Sequence, residues 1–345
     1  MPAPPTGVTA EAWIVLDTTT GHVVAAHEAD VPRTVASTIK VLTALTVLER
    51  TEASDIVVVG DEVRTVAGAR IGLVPGDQVS VGTLVDVLIA RSGNDIAEAL
   101  AVHVAGSRVA FVELMRLDAV SVGIQGSVTS PSGLDDTDAL TAHELAVVGA
   151  VALAHPDLRA TLARREVTLP DGTVASSRNE LLGTYPGATG IKTGYTRLAG
   201  NTLIASARRD GRELVAVVLG SADDPARFLD ATRLLDHAFA TTRSHLVDPV
   251  VDRRVAGGHE VFDVRAASTT ARRTADIDVW PVWSSIAAET VEVDVEVGGE
   301  AVGRLEAHAT RTPTLETSPD GAVGRALADV AWRAAWAAAR DPAVR

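Results

Sequence analysis

The chain has 345 residues, 46% of them hydrophobic, a formal charge of −14 and no cysteine. Acids outnumber bases 45 to 31, so there is no concentrated basic face for a phosphate backbone, and nucleic acid is excluded as a partner. The missing thiols exclude disulfides, thiolate metal sites and cysteine nucleophiles, while a core of real size is within reach at this length.

In chain order, AWIVLD at 12–17 and HVVAAHE at 22–28 flank the turn TTTG and predict a first β-hairpin. The segment before it, MPAPPTG, lacks the basic start and apolar stretch of a signal peptide. No uninterrupted apolar run approaches the roughly 18 residues of a spanning helix, so the sequence as given is expected to be soluble.

Residues 36–49, ASTIKVLTALTVLE, predict a helix that is apolar nearly all round, with Ile39, Leu42, Leu45 and Leu48 on one side and Val41 and Val47 on the other. Such a helix is buried. It carries Lys40 three residues after Ser37, and positions i and i+3 share a face. Only two of the 31 basic residues are lysine, Lys40 and Lys192. Arginine keeps its proton in a protein, whereas burial can bring a lysine amine close to neutrality, where it can take the proton of a neighbouring serine.

Helical patterns continue to about residue 155. Between two of them, Ser92-Gly93-Asn94 in RSGNDIAEALA makes a short helix-to-helix turn; alone it reads as an ordinary cap. Further on, GATGIKTGYT places Lys192, Thr193 and Gly194 on a strand before TLIASAR and ELVAVVL, which Asp210-Gly211 joins as a hairpin. Gly194 opens the backbone to a ligand, and Lys192 and Thr193 offer a charge and a hydroxyl. The five strands predict an antiparallel sheet with a long helical insertion, and a cleft between the two where the distant motifs converge.

After a helix at about 226–243, VEVDVEV at 291–297 alternates strictly and precedes Gly298-Gly299 and AVGRLEAHA, a second hairpin pattern. Residues 321–340 read as a helix with Val323, Leu327, Val330 and Ala334 on one stripe and Trp332 and Trp336 opposite. The expected organisation is a domain at 12–243, a small β-rich domain at 244–312, and a linker with a terminal helix at 313–345. The nine histidines form no close metal pair, and no phosphate-binding glycine loop occurs, so no cofactor is expected. Asp135-Asp136 reads as a turn.

Ser-x-x-Lys, Ser-x-Asn and Lys-Thr-Gly in this order are the signature of penicillin-binding proteins and serine β-lactamases. With GLVPGDQV, PSGLDD and the stretch SRNELLGTYPGATGIKTGYTRLAG, the chain from about 12 to 243 resembles the low-molecular-mass D-alanyl-D-alanine carboxypeptidases of peptidase family S11. The resemblance implies an α/β (α+β) fold of the β-lactamase/transpeptidase type, with a five-stranded antiparallel sheet, a helical insertion and a small C-terminal β domain. By the same resemblance Ser37 is the nucleophile, Lys40 its base, Ser92 a proton relay, Asn94 a substrate-amide ligand, and Lys192, Thr193 and Gly194 the carboxylate-binding strand. The N–H groups of Ser37 and Tyr195 would form the oxyanion hole, and Arg227 would bind the substrate carboxylate.

The implied partners are a peptidoglycan stem peptide, β-lactam inhibitors and a membrane surface touched by the C-terminal helix. The implied location is the outer face of the cytoplasmic membrane. Met115-Arg116 and Ser130 depart from the Met-Asn pair and the asparagine usual in the family. A class A β-lactamase is the rival enzyme, opposed by the absence of a Glu-x-x-Leu-Asn segment. A non-catalytic muropeptide or β-lactam sensor is the rival of another class.

Overall fold

Strands β1 (Ala12–Asp17), β2 (Val23–His27), β3 (Ala188–Thr196), β4 (Gly200–Arg209) and β5 (Arg212–Ser221) come from opposite ends of the region 12–243. In the computed structural model, which describes residues 5–247 and the strand segments between 250 and 311, they form one antiparallel sheet in the order β2-β1-β5-β4-β3. Its centre is apolar on both faces: every residue of β1 is buried, and Ile14 stands opposite Val217 of β5. Asp210 and Gly211 both have positive φ, 52° and 79°, which a two-residue turn between right-twisted strands requires. The five-stranded sheet expected from the sequence is therefore present, with the hairpin at the expected dipeptide.

The segment between β2 and β3 is largely helical. A 3-10 turn at Ala36–Ile39 leads into α1 (Lys40–Leu48), followed by α2 (Val81–Arg91), α3 (Asn94–Ala105), α4 (Arg108–Ser121), α5 (Ala142–Ala154), α6 (Pro156–Leu162) and α7 (Leu181–Thr184). Caps explain the starts: the Ser80 hydroxyl accepts from Thr83 N, Ser107 from Ala110 N, and Thr141 forms a reciprocal capping box with Glu144. Lys40 through Val47 are all buried, as the apolar character of the segment demands. Helix α5 packs on the sheet, with Gly149 against Ile191, Ile204 and Val215. Helix α8 (Asp224–Thr241) follows β5, and its buried Asp230 accepts from Thr9 N, Thr9 Oγ1 and Ala10 N.

The chain divides into two compact units, the larger ending at Ala238 and the other running from Phe239 and including Thr19–His22. The second unit contains a five-stranded antiparallel sheet in the order Val250–Val255, Gly258–Val264, Glu300–Arg311, Thr290–Val297, Ile277–Val282. The strictly alternating segment pairs there with its successor, Val293 opposite Leu305. The pattern read as a helix at 321–340 lies outside the described residues. Among the described residues no single helix is long and apolar enough to cross a membrane.

Ile14 is 1% exposed at the middle of the sheet. Ile14→Ala is expected to lower unfolding free energy by about 2–5 kcal/mol through lost burial and a residual cavity, read as a shift of the urea midpoint at constant slope.

Candidate active site

The 3-10 turn sets the first pair. At three residues per turn, positions i and i+3 eclipse, so Ser37 and Lys40 align, and Lys40 Nζ lies 2.8 Å from Ser37 Oγ. Ser37 is half-buried while Lys40 is fully enclosed. Two more acceptors surround the amine: Asn94 Oδ1 at 2.7 Å and the Ser132 carbonyl oxygen at 2.5 Å. Loss of water around the charge, followed by the nearby Arg178 guanidinium, lowers the Lys40 pKa to about 7, with Glu98, Asp138 and Asp95 acting in the opposite direction.

Asn94 reaches this place because α2 and α3 meet at a sharp turn. Ser92, the C-terminal cap of α2, is left-handed at φ 68°, ψ 31°, and Asn94 opens α3. Its amide is oriented from the other side, Nδ2 donating to Ala67 O at 2.8 Å. Ser92 is 3% exposed and its Oγ has no hydrogen-bond partner among the described residues. A buried hydroxyl left in that condition costs stability and points to a role beyond folding.

Strand β3 forms the opposite wall. Gly194 stands across from Thr202, and a Cβ on it would come within 2.4 Å of Thr202 Oγ1 and 3.0 Å of Ser37 N. Only glycine permits this approach, which brings the Ser37 main chain against the edge strand. Lys192 and Thr193 are buried in the same strand, whereas the Tyr195 side chain is 62% exposed, leaving its main chain as its contribution to the wall. Lys192 Nζ donates to Thr193 O at 2.9 Å. Burial lowers its pKa well below the ordinary value, reinforced by the positive charges of Lys40, Arg178 and Arg227.

Arg227, near the start of α8, is only 8% exposed. It donates from Nη1 to Gly194 O at 2.9 Å and from Nη2 to Asp224, and its Cζ lies 5.1 Å from the Phe228 ring centre. Its Nε is buried without a partner among the described residues. Arg227 is thus tied to the lysine-bearing strand rather than lying on the surface.

The structure brings Ser37, Lys40, Asn94 and Gly194 into direct proximity, with Ser92 adjoining Asn94 and Lys192 and Thr193 adjoining Gly194 along the chain. Sequence reasoning missed two participants. Arg178, whose charge acts on Lys40, Lys192 and Arg227 alike, sits inside the quoted SRNELLG stretch with no motif marking it. The Ser132 carbonyl belongs to a main chain and has no residue-type signature. Among the described residues no group of three or more His, Asp or Glu could hold a metal ion.

A sequence model of the D-alanyl-D-alanine carboxypeptidases, peptidase family S11, matches residues 1–223. The chain belongs to this family. D-alanyl-D-alanine carboxypeptidase DacB2 of Mycobacterium tuberculosis is 37% identical over 242 residues, covering 67% of this chain and 82% of that protein. DacC of Escherichia coli is 35% identical over 248 residues, 67% of this chain and 62% of that one, so the chain spans about three fifths of its length. The structure of penicillin binding protein 5 from Haemophilus influenzae is similar with a TM-score of 0.81, covering 90% of this chain and 98% of that one. At 23% identity this last likeness concerns the fold.

The unsatisfied Ser92 hydroxyl separates stability from activity in this family member. Ser92→Ala is expected to raise unfolding free energy by about 1 kcal/mol, because it removes a buried group without a partner, and to reduce turnover. Urea unfolding alongside penicillin labelling of the same preparation checks both.

Proposed function

We propose that the chain is a serine peptidase that removes the terminal D-alanine from peptidoglycan stem peptides ending in D-Ala-D-Ala, through an acyl-enzyme on Ser37. The observation that carries this reading is the Lys40 amine, enclosed and 2.8 Å from Ser37 Oγ. A neutral amine has two N–H donors and one lone pair. With Asn94 Oδ1 and Ser132 O taking the two donors, the lone pair is left for the Ser37 hydroxyl proton. A pKa of about 7 keeps a large fraction of the amine neutral at physiological pH.

Ser37 Oγ then attacks the carbonyl of the penultimate D-alanine as its proton passes to Lys40 Nζ. The developing oxyanion faces the N–H groups of Ser37 and Tyr195, each such donor being worth about 3–4 kcal/mol. Ser92 relays a proton to the departing amine, and D-alanine leaves. Water resolves the ester by the reverse route, returning the proton to Ser37. Asn94 holds the substrate amide. Lys192, Thr193, Arg227 and Gly194 receive the terminal carboxylate, with Arg178 adding positive charge; a bound carboxylate relieves the mutual repulsion of these cations.

A β-lactam presents the same electrophile, but its leaving nitrogen stays tethered by the ring and obstructs the water. The carboxylates whose field reaches Lys40 are already engaged: Asp95 by the N–H groups of Ile71, Gly72 and Leu73, Glu98 by Arg108, and Asp138 within its own loop. This supports slow deacylation rather than β-lactamase turnover. An extracytoplasmic location at the outer face of the membrane, with a surface contact through 321–340, belongs to the same proposal and is supported by Trp332, Trp336 and the arginines of that pattern.

Penicillin is expected to add one equivalent of mass to the native protein and none to Ser37→Ala. An acyl-D-Ala-D-Ala peptide should release one D-alanine per turnover, with nitrocefin colour stopping after the first equivalent; sustained nitrocefin turnover without D-alanine release would refute the assignment.

The second-order acylation constant, which reports the free enzyme, should fall about tenfold per unit as pH drops below about 7, because protonation of Lys40 removes the base. Lys40→Arg should abolish acylation in a folded protein, while Lys192→Arg is milder because charge is its main contribution. Stopped-flow acylation across pH and equal damage from the two substitutions are, respectively, the check and the contrary result.

A further inference from the structure

One of the three acceptors around Lys40 comes from no catalytic motif. The Ser132 carbonyl is main chain, so its position depends on the segment that carries it, residues 129–138. That segment is closed on itself by two buried side chains, Asp138 and Ser130, which are 1% and 0% exposed. Asp138 Oδ1 accepts from Thr129 N at 2.6 Å, Ser130 N at 3.0 Å and Thr129 Oγ1 at 3.0 Å. Its Oδ2 accepts from the Ser130 hydroxyl, which in turn accepts from Gly133 N at 2.8 Å. The chain from 129 to 133 is therefore pinned on both sides of Ser132.

The pinned segment is also seated on the nucleophile turn. Thr43 Oγ1 of α1 donates to Pro131 O at 2.7 Å, and Val35 N donates to Asp138 O at 3.4 Å. Gly133 has φ 74°, and a Cβ on it would fall 2.0 Å from Ala36 O. The contact is main chain on main chain, with no side chain able to yield. A displacement of the segment would carry the Ser132 carbonyl off the amine.

We propose that Asp138 and Ser130 are positioning residues for acylation: they hold the 129–138 segment so that the Ser132 carbonyl occupies one N–H of Lys40 and leaves the amine lone pair on Ser37. The proposal rests on the reading of Lys40 as the base. Without the carbonyl, the amine keeps one fixed acceptor and can rotate its lone pair away from Ser37, and misplacement on the scale of 1 Å costs as much as about 100-fold in rate. The protonated amine loses an acceptor too, so the base becomes weaker.

The pH dependence has a definite sign. Charged groups face Lys40 from several elements: Arg178 ahead of α7, Lys192 on β3, Asp95 and Glu98 on α3, and Asp138 itself. Removing Asp138 deletes one negative charge and displaces one acceptor, and both changes favour the neutral amine. The acid limb of acylation therefore moves to lower pH while its plateau falls.

The test is stopped-flow acylation of the full chain by a penicillin across pH, with folding checked by circular dichroism. Asp138→Ala is expected to lower the plateau about tenfold or more and move the acid limb to lower pH. Asp138→Asn keeps an acceptor for Thr129 N and Ser130 N, and the Ser130 hydroxyl can accept from its amide; it is expected to move the limb but hold the plateau within about threefold of the parent. Ser130→Ala, which frees Gly133 N but leaves the carboxylate, should lower the plateau by about threefold or more, and it decides the question if Asp138→Ala does not fold. A folded Asp138→Ala or Ser130→Ala with the parent's plateau overturns the proposal, as does an Asp138→Asn as slow as Asp138→Ala, which would assign the effect to charge. A parent protein that fails to label on Ser37 refutes instead the acyl-enzyme reading itself.

Discussion

An ammonium group removed from water must find acceptors or give up its proton, and Lys40 is placed where both happen. Its three partners come from three separate parts of the chain: Ser37 from the same turn, Asn94 from the start of α3, and Ser132 from the 129–138 segment. Each partner needs a different device to arrive. The 3-10 turn eclipses Ser37 on Lys40, the left-handed Ser92 turns α3 toward α1, and the positive φ of Gly133 lets its segment lie on Ala36. The helical insertion is thus more than a lid on the sheet, since it supplies all three acceptors that let one buried lysine exist in either protonation state.

The cleft gathers positive charge from the sheet edge and the helices around it. Burial first, and then the charges of Lys40, Arg178 and Arg227, lower the proton affinity of Lys192, and Arg178 acts in the same direction on Lys40 and Arg227, so an anion placed among these groups is favoured. This concentration occurs in a chain whose formal charge is −14. Because exposed charges more than about 8 Å apart are largely screened at physiological ionic strength, the overall acidity acts weakly inside the cleft and the local cations prevail there. On the proposed reading, a peptide ending in a carboxylate is favoured over one continuing as a neutral amide, and that preference is what distinguishes a carboxypeptidase from an endopeptidase.

Much of this was readable from residue order, and what was not has a physical reason. Ser37 and Lys40 are separated by three positions in an apolar helix, and Asp210-Gly211 is a turn almost by composition; such relations are local, and the chain states them directly. The sheet and its helical insertion offered a cleft where the three motifs could meet, but their roles there were legible only through the resemblance, because no local rule joins Lys40 to Asn94. Arg178 could not be found, since it acts through its field on groups far away in sequence. Ser132 could not be found for another reason: its side chain is irrelevant and any residue supplies a carbonyl. Ser130 was visible as a departure from the family habit, yet its meaning appears only with Asp138 beside it, where the hydroxyl links the carboxylate to Gly133 N. Arg227 shows the converse, a position singled out by resemblance whose engagement with Gly194 O only the structure reveals.

The scarcity of lysine then takes on a sharper meaning. In a chain with 29 arginines, both lysines are fully enclosed in one cleft, Lys40 at 0% and Lys192 at 1% exposure. An arginine confined in the same way would stay charged, and enclosing a permanent charge costs several kcal/mol unless it is fully paired. Burial lowers the proton affinity of both amines, to a pKa of about 7 at Lys40, so Lys40 can be enclosed in either protonation state. On the surface, where neither burial nor proton exchange is asked of a cation, arginine serves as well, and the compositional bias has had its way there. On the proposed reading, Lys40 is the place where the charge must be able to disappear, while Lys192 is the place where a compact ammonium meets the carboxylate.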